Sequence, residues 1–258
     1  MSYDATAELY DAAFAWESDP GVILPLNERL GRPRRVLEVA CGPARMLTTL
    51  VAEGAFGIGI DISPRMVSLA GRRLAAVRPG GFELIQGDMR DFALDVPADG
   101  AFCAVGSFGH LATVEDAQRH LAAMRTALAS GAVYAIQVRL QPVRDTDARG
   151  PNEHSTWEFE FDGERLSYAW FGRGIEARTA REVQVSRIEW LTGPRAGEVV
   201  ETDHDMHIWD WPSWRDLLSS GGFRQVAALD PEQGFAEVPL GEALYEHPVA
   251  WQLISAQA

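Results

Sequence analysis

The sequence predicts an α/β protein: a mostly parallel β-sheet with helices on both faces and an antiparallel β layer inserted late in the chain. Three observations carry that prediction. Between residues 35 and 140, short apolar runs alternate with helical patterns. The runs RVLEVA, FGIGI, FELIQ, AFCAV and AVYAIQVRL are apolar almost throughout, as strands buried on both faces are. From about 155 to 209 the pattern becomes apolar–polar alternation with turn signals, the mark of antiparallel strands.

Each element has its own justification. Residues 3–17 carry apolar and aromatic residues at helical spacing, and a second helix is expected over 21–30. Residues 35–40 form the first strand, which Cys41-Gly-Pro breaks, and helical periodicity resumes over 45–53. Residues 56–60 form the second strand, ending at Asp61. Ser63-Pro64 opens a helix to about Val77, because serine caps a helix well and proline suits its first position. Residues 82–86 and 101–105 are strands three and four. A helix over 114–130 is expected to stop at Gly131, and strand five to cover 132–140. In the insertion, STWEFEF and RLSYAWF flank Asp162-Gly163, a hairpin signal, and REVQVSRIEWL and EVVETDHDMHIW continue the layer to three or four strands. Residues 212–220 form the last helix, stopped by Gly221-Gly222, and 223–229 and 251–256 return to the main sheet.

Composition narrows the function. The 258 residues carry 23 basic and 37 acidic groups, a net charge of −14, and no lysine. A pyridoxal-phosphate Schiff base and a P-loop are thereby excluded, since both need lysine. The acidic excess argues against nucleic acid as a partner. The two cysteines, Cys41 and Cys103, lie in apolar runs and read as buried thiols of a cytoplasmic protein. The acidic N-terminus is no signal peptide, and no apolar run reaches the about 20 residues that span a bilayer. The expected partner is a small molecule, with no membrane; a homodimer stays open.

Three loops at the carboxyl ends of strands one to three carry the chemistry, which is where open α/β sheets bind ligands. The first is Glu38-Val-Ala40-Cys-Gly42-Pro-Ala44, whose small residues allow close approach to the backbone. The second is Asp61-Ile62, where a carboxylate can accept from ribose hydroxyls. The third is Gly87-Asp88-Met89, where Asp88 can accept from an adenine amino group beside apolar Ile62 and Met89. A dinucleotide site would need GxGxxG. Here one glycine is present, and Glu38 would repel a pyrophosphate while attracting an amine or another cation. The loops suit a positively charged nucleoside without phosphates.

In order, VLEVACGPARMLTTL, GIDISPRMVSLA, QGDMRDF and FGHL resemble the class I S-adenosylmethionine (SAM) methyltransferases. The resemblance extends to WPSWRDLLSSGGF and is greatest to the small-molecule subgroup with a β insertion after strand five, as in amino-sugar N-methyltransferases and glycine N-methyltransferase. It implies a Rossmann-like seven-stranded sheet. Residues 1–140 would be the SAM-binding core with an N-terminal helical lid, 141–211 the insertion over the substrate site, and 212–258 the end of the core. It implies SAM as cofactor, held by Tyr10, Glu38, Ala40, Gly42, Ala44, Asp61, Ile62, Met66, Asp88, Met89 and Gly106. Tyr3 and Tyr10 resemble aromatic positions of the lid. The family's first and third loop glycines are Ala40 and Ala44 here, which do not adopt positive φ easily, and Pro43 removes a donor.

Methyl transfer is an in-line displacement that needs alignment and exclusion of water, with a base for some nucleophiles. His110, just past strand four, is the catalytic candidate; its alternative is a histidine that packs or caps a loop. Tyr3, Arg139, Trp157, Tyr168 and Trp170 are candidate substrate contacts. Arg139 would meet a carboxylate or phosphate, or else form a surface ion pair. Six of the eight tryptophans lie between 157 and 214, as substrate lid or as the insertion's own core. His204 and His207 point to opposite faces of a strand, so no metal site is expected. The expected activity is methylation of N or O on a small molecule, in bacterial specialised metabolism. Use of SAM in a cyclisation or elimination, and a non-catalytic binding module, are the alternatives.

Overall fold

The computed structural model describes residues 6–151 and 153–256. In chain order the elements are α1 (Ala7–Ala13), α2 (Pro20–Arg29), β1 (Arg35–Val39), α3 (Arg45–Ala52), β2 (Phe56–Asp61), α4 (Pro64–Val77), β3 (Phe82–Gln86), β4 (Ala98–Cys103), α5 (Val114–Ala127) and β5 (Leu128–Gln137). Then follow β6 (Thr156–Phe161), β7 (Glu164–Glu176), β8 (Arg181–Trp190), β9 (Val199–His207), α6 (Trp211–Ser220), β10 (Phe223–Asp230), β11 (Ala236–Glu237) and β12 (Trp251–Ala256). Tyr3 lies outside the described residues. Among those described, no helix is long and apolar enough to cross a membrane.

The chain forms two compact units. The larger comprises 16–142 and 209–256. Its sheet has the order β11-β10-β12-β5-β4-β1-β2-β3. The pairs among β1 to β5 are parallel, and β12, β10 and β11 add antiparallel. The seven expected strands are thus present, with two-residue β11 as an extra edge. The strand order reverses between β1 and β4, the switch point at which such sheets bind ligands.

Local chemistry explains these elements. Ser63 accepts from the Met66 N–H and Pro64 follows at the first helical position, so α4 starts where expected. Asp210 and Ser213 form a capping box on α6. Val36, Leu37 and Val39 of β1 are buried, as a central strand requires. Gly57 of β2 lets α3 lie close: a Cβ there would sit 2.6 Å from Val51 and 3.1 Å from Leu47.

Two boundaries differ from expectation. The helix α5 ends at Ala127, and Gly131 lies inside β5, with φ 79°, rather than at a helix stop. The register with β4 shifts between Ala98 and Gly100, so the glycine absorbs an irregularity in the strand. In addition β5 stops at Gln137, leaving Arg139 exposed beyond it.

The smaller unit comprises 6–15 and 143–208, with β6-β7-β8-β9 as an antiparallel sheet. Asp162 and Gly163 both have positive φ (51° and 79°), as a tight two-residue hairpin requires. On β9, Asp203 and Asp205 face solvent and pair with Arg173 and Arg181, whereas His204 and His207 are buried.

Candidate active site

The carboxyl ends of β1, β2 and β3 bring the first set of predicted residues together. Ala40, Gly42 and Ala44 all have positive φ: 53°, 49° and 56°. The two alanines therefore take the left-handed conformation that the family leaves to glycine, at roughly 1–2 kcal/mol each. Strain of this kind persists where surrounding bonds fix the backbone. Here the Gly42 N–H donates to Asp61 Oδ2 at 2.8 Å, the Cys41 N–H to the Ile60 carbonyl at 2.9 Å, and Arg73 to the Pro43 carbonyl. A Cβ on Gly42 would meet nothing within 4 Å, so the cradle opens onto free space.

Glu38 is 5% exposed. Ala44 cannot cap α3, and Glu38 does so instead, accepting from the Leu47 N–H at 3.3 Å. Burial pushes its carboxyl well above the usual range, and the carboxylates of Glu17 and Asp61 add to the effect. An acidic corner of this kind attracts a cation. Glu17, on the turn Ala15–Ser18, has no motif to reveal it; only its buried position does.

Asp61 is gripped by two backbone donors, Gly42 to Oδ2 and Ser63 to Oδ1 at 2.9 Å. Burial raises its pKa, opposed by these two bonds. Each oxygen keeps a lone pair, enough for the two hydroxyls of a ribose. Beside it Ile62 is 68% exposed, an apolar side chain suited to a flat ring. Met89 packs at the edge of the core.

Asp88 and Met66 are placed differently from the sequence expectation. Asp88 Oδ1 accepts from the Arg90 backbone N–H and Nε, and Oδ2 from Nε and Nη2. Arg90 also pairs with Asp116 at 2.7 Å and holds Asp88 below the usual carboxylate range. Three Arg90 N–H groups thus engage the carboxylate of Asp88, which stays partly exposed. Met66 is 2% exposed and packs as a core residue of α4.

After β4 the chain makes a strained turn. Val105 and Gly106 have φ of 53° and 67°, uncommon for a β-branched residue such as Val105. Gln137, the last residue of β5, holds this turn: its Oε1 accepts from the Val105 N–H at 2.8 Å and its Nε2 donates to the Val249 carbonyl. A lone amide at the end of an apolar strand was the available signal for Gln137. The space beside Gly106 is open, and the turn Ser107–His110 carries His110. Burial lowers the His110 pKa, so its imidazole is neutral near pH 7. Cys41 is buried and its thiol pushed well up, which leaves it inert.

The aromatic candidates lie in the smaller unit. Tyr10 stacks on Phe14 at 4.2 Å, and Phe14 meets Trp157 and Tyr168 edge-on. Trp157 Nε1 donates to the Ala13 carbonyl at 2.8 Å. These rings form the joint between α1, β6 and β7; Tyr168 is fully packed there and offers no surface. Trp170 stands apart, stacked on His204 and donating to Gln184.

The residues at the switch point fit SAM: an acidic corner for its ammonium, a ribose acceptor, an exposed apolar platform and a cradle open to space. Comparison with known proteins agrees. A methyltransferase-domain family matches residues 36–131. A dTDP-4-amino-2,3,4,6-tetradeoxy-D-glucose N,N-dimethyltransferase of Saccharopolyspora spinosa is 30% identical over 181 residues, 68% of this chain and 69% of that protein. The SAM-bound amino pentose methyltransferase CalS10 of Micromonospora echinaspora superposes with a TM-score of 0.73 at 18% identity, over 96% of this chain and 97% of that one. The sugar N-methyltransferase KedS8 of a Streptoalloteichus species gives 0.69 at 19% identity, over 100% and 94%. The chain belongs to the class I SAM-dependent methyltransferases, in the family of the sugar N-methyltransferases. It is an enzyme that uses SAM to methylate a small molecule.

Proposed function

We propose that the protein methylates the amino nitrogen of a nucleotide-linked amino sugar. Glu38, the 40–44 loop, Asp61, Ile62, Met89 and Gly106 surround the cofactor, and His110 accepts the proton. The observation that carries this reading is a half-buried imidazole, its pKa lowered, on the loop after β4, at the same carboxyl edge of the sheet as the acidic corner after β1 and β2. Bound SAM supplies an electrophilic methyl group on a sulfonium. An amine attacks only when deprotonated, and a neutral imidazole can take that proton near pH 7. The strained Val105–Gly106 turn, fixed by Gln137, orients His110, and alignment of this kind supplies much of the rate in such displacements. The S. spinosa relative supports the acceptor class. Arg139, exposed beyond β5, is the proposed contact for the diphosphate.

Incubation with SAM and a dTDP-4-amino sugar, followed by mass spectrometry, tests the reading. It expects S-adenosylhomocysteine and an acceptor heavier by one or two methyl groups. Methylthioadenosine beside unmodified acceptor would refute it and favour SAM cyclisation or elimination.

A further inference from the structure

A set of buried polar side chains lies where α5 packs on the sheet. His120 on α5, Tyr134 on β5 and Cys103 on β4 have no exposed surface. His120 Nδ1 lies 2.7 Å from the Met89 carbonyl, and Nε2 lies 2.9 Å from the Tyr134 hydroxyl. On its other side the His120 ring meets Phe108, in the turn after β4.

Chemistry fixes the direction of every bond. A carbonyl only accepts, so His120 Nδ1 carries the proton and Nε2 is bare. Tyr134 must then donate to Nε2. His120 thus donates once and accepts once. A buried network satisfied in this way holds one arrangement. Its surroundings exclude charge: the Phe108 ring lies edge-on to His120 at 5.6 Å and to Trp214 at 5.4 Å. Burial holds the His120 pKa down to about 4, with Asp88 the nearby charge that opposes this.

The contacts of His120 reach two loops at the carboxyl edge of the sheet. Met89 follows β3 beside the proposed adenine platform, and Phe108 lies in the turn that carries His110. Filling this core would need only apolar side chains, whereas an unmet buried donor or acceptor costs about 1–3 kcal/mol. We propose that His120 is a positioning residue for methyl transfer. Its neutral Nδ1–H tautomer fixes the Met89 carbonyl, and its ring backs Phe108 in the turn bearing His110. The proposal rests on the SAM site described above.

The test is calorimetric titration of the full chain with S-adenosylhomocysteine, reading stoichiometry and Kd separately. Wild-type binding checks the SAM site itself; no binding by wild type would refute that site. His120→Leu is expected to raise Kd about tenfold at unchanged stoichiometry. His120→Asn, whose amide N–H replaces Nδ1, should restore Kd to within about threefold, whereas His120→Gln, which places its amide at Nε2, should not. A merely structural role would lower stoichiometry or Tm and leave the Kd of the folded fraction unchanged. A folded His120→Leu with wild-type Kd overturns the proposal. If that variant does not fold, equal Kd values for the Asn and Gln variants overturn it.

Discussion

Replacing Glu38 by glutamine should make the protein more stable and a worse enzyme. Glutamine keeps the oxygen that accepts from Leu47, so α3 stays capped. What it removes is a charge in a 5% exposed position, facing the carboxylates of Glu17 and Asp61. An uncompensated buried charge costs several kcal/mol; with one hydrogen bond retained, relief of about 2 kcal/mol is expected. For a domain of this size that raises Tm by roughly 4–8 °C. The sign with pH follows from the raised folded pKa. Glu38 binds its proton more tightly folded than unfolded, so wild type loses stability as pH rises from the unfolded carboxylate pKa through the folded one. The advantage of Glu38→Gln should therefore be smallest near pH 4.5 and grow as pH rises. With Glu38 as the proposed acceptor of the cofactor's ammonium, loss of that charge-assisted bond, about 1.5–3 kcal/mol, is expected to weaken S-adenosylhomocysteine binding about 10- to 150-fold. Scanning calorimetry across pH and ligand titration at pH 8 measure both effects. A variant less stable than wild type at pH 8.5 that binds the ligand equally well would refute the reasoning.

Ala40→Gly should relieve strain of about 1–2 kcal/mol against about 0.4–1 kcal/mol of added unfolded-chain entropy, raising Tm slightly in denaturation scans. Ala44→Gly should be nearly neutral, because it also gives up a fully buried methyl worth about 0.8 kcal/mol. Gln137→Leu orphans the Val105 N–H and should cost about 1–3 kcal/mol in urea denaturation, with a larger proportional loss of methyl transfer than of S-adenosylhomocysteine binding. Arg90→Met frees the Asp88 carboxylate and should move its pKa, followed by NMR titration, up toward the ordinary value, because Arg90 is the main cause of the depression.

The parallel core was legible because each strand is an apolar run ended by a glycine, proline or acid, and each of the helices α4 and α6 carries its own cap. The Asp162-Gly163 hairpin was legible for the same reason: turn chemistry is local. The α5–β5 junction was not. Gly131 looks like a helix stop, but tertiary pairing with β4 recruits Leu128 into the strand and overrides that local signal. In the site, Glu38, Asp61 and Ile62 could be read from their positions at strand ends. The engagement of Asp88 by Arg90 could not, since both belong to one motif and only geometry shows that the arginine turns back on the aspartate. Glu17 and His120 were silent, because His120 acts through a contact 31 residues away and Glu17 through shared burial, whereas the lone amide of Gln137 was visible but its partner, 32 residues away, was not. The positive φ of Ala40 and Ala44 shows the reverse case, where the required backbone shape prevails over residue preference.

The most direct test of the SAM site is titration of S-adenosylhomocysteine into wild type and Asp61→Ala. The account predicts stoichiometric binding by wild type and, with the ribose acceptor gone and the Gly42 and Ser63 N–H groups released, binding weaker by about 10- to 100-fold. No binding by wild type, or equal binding by the variant, would contradict it.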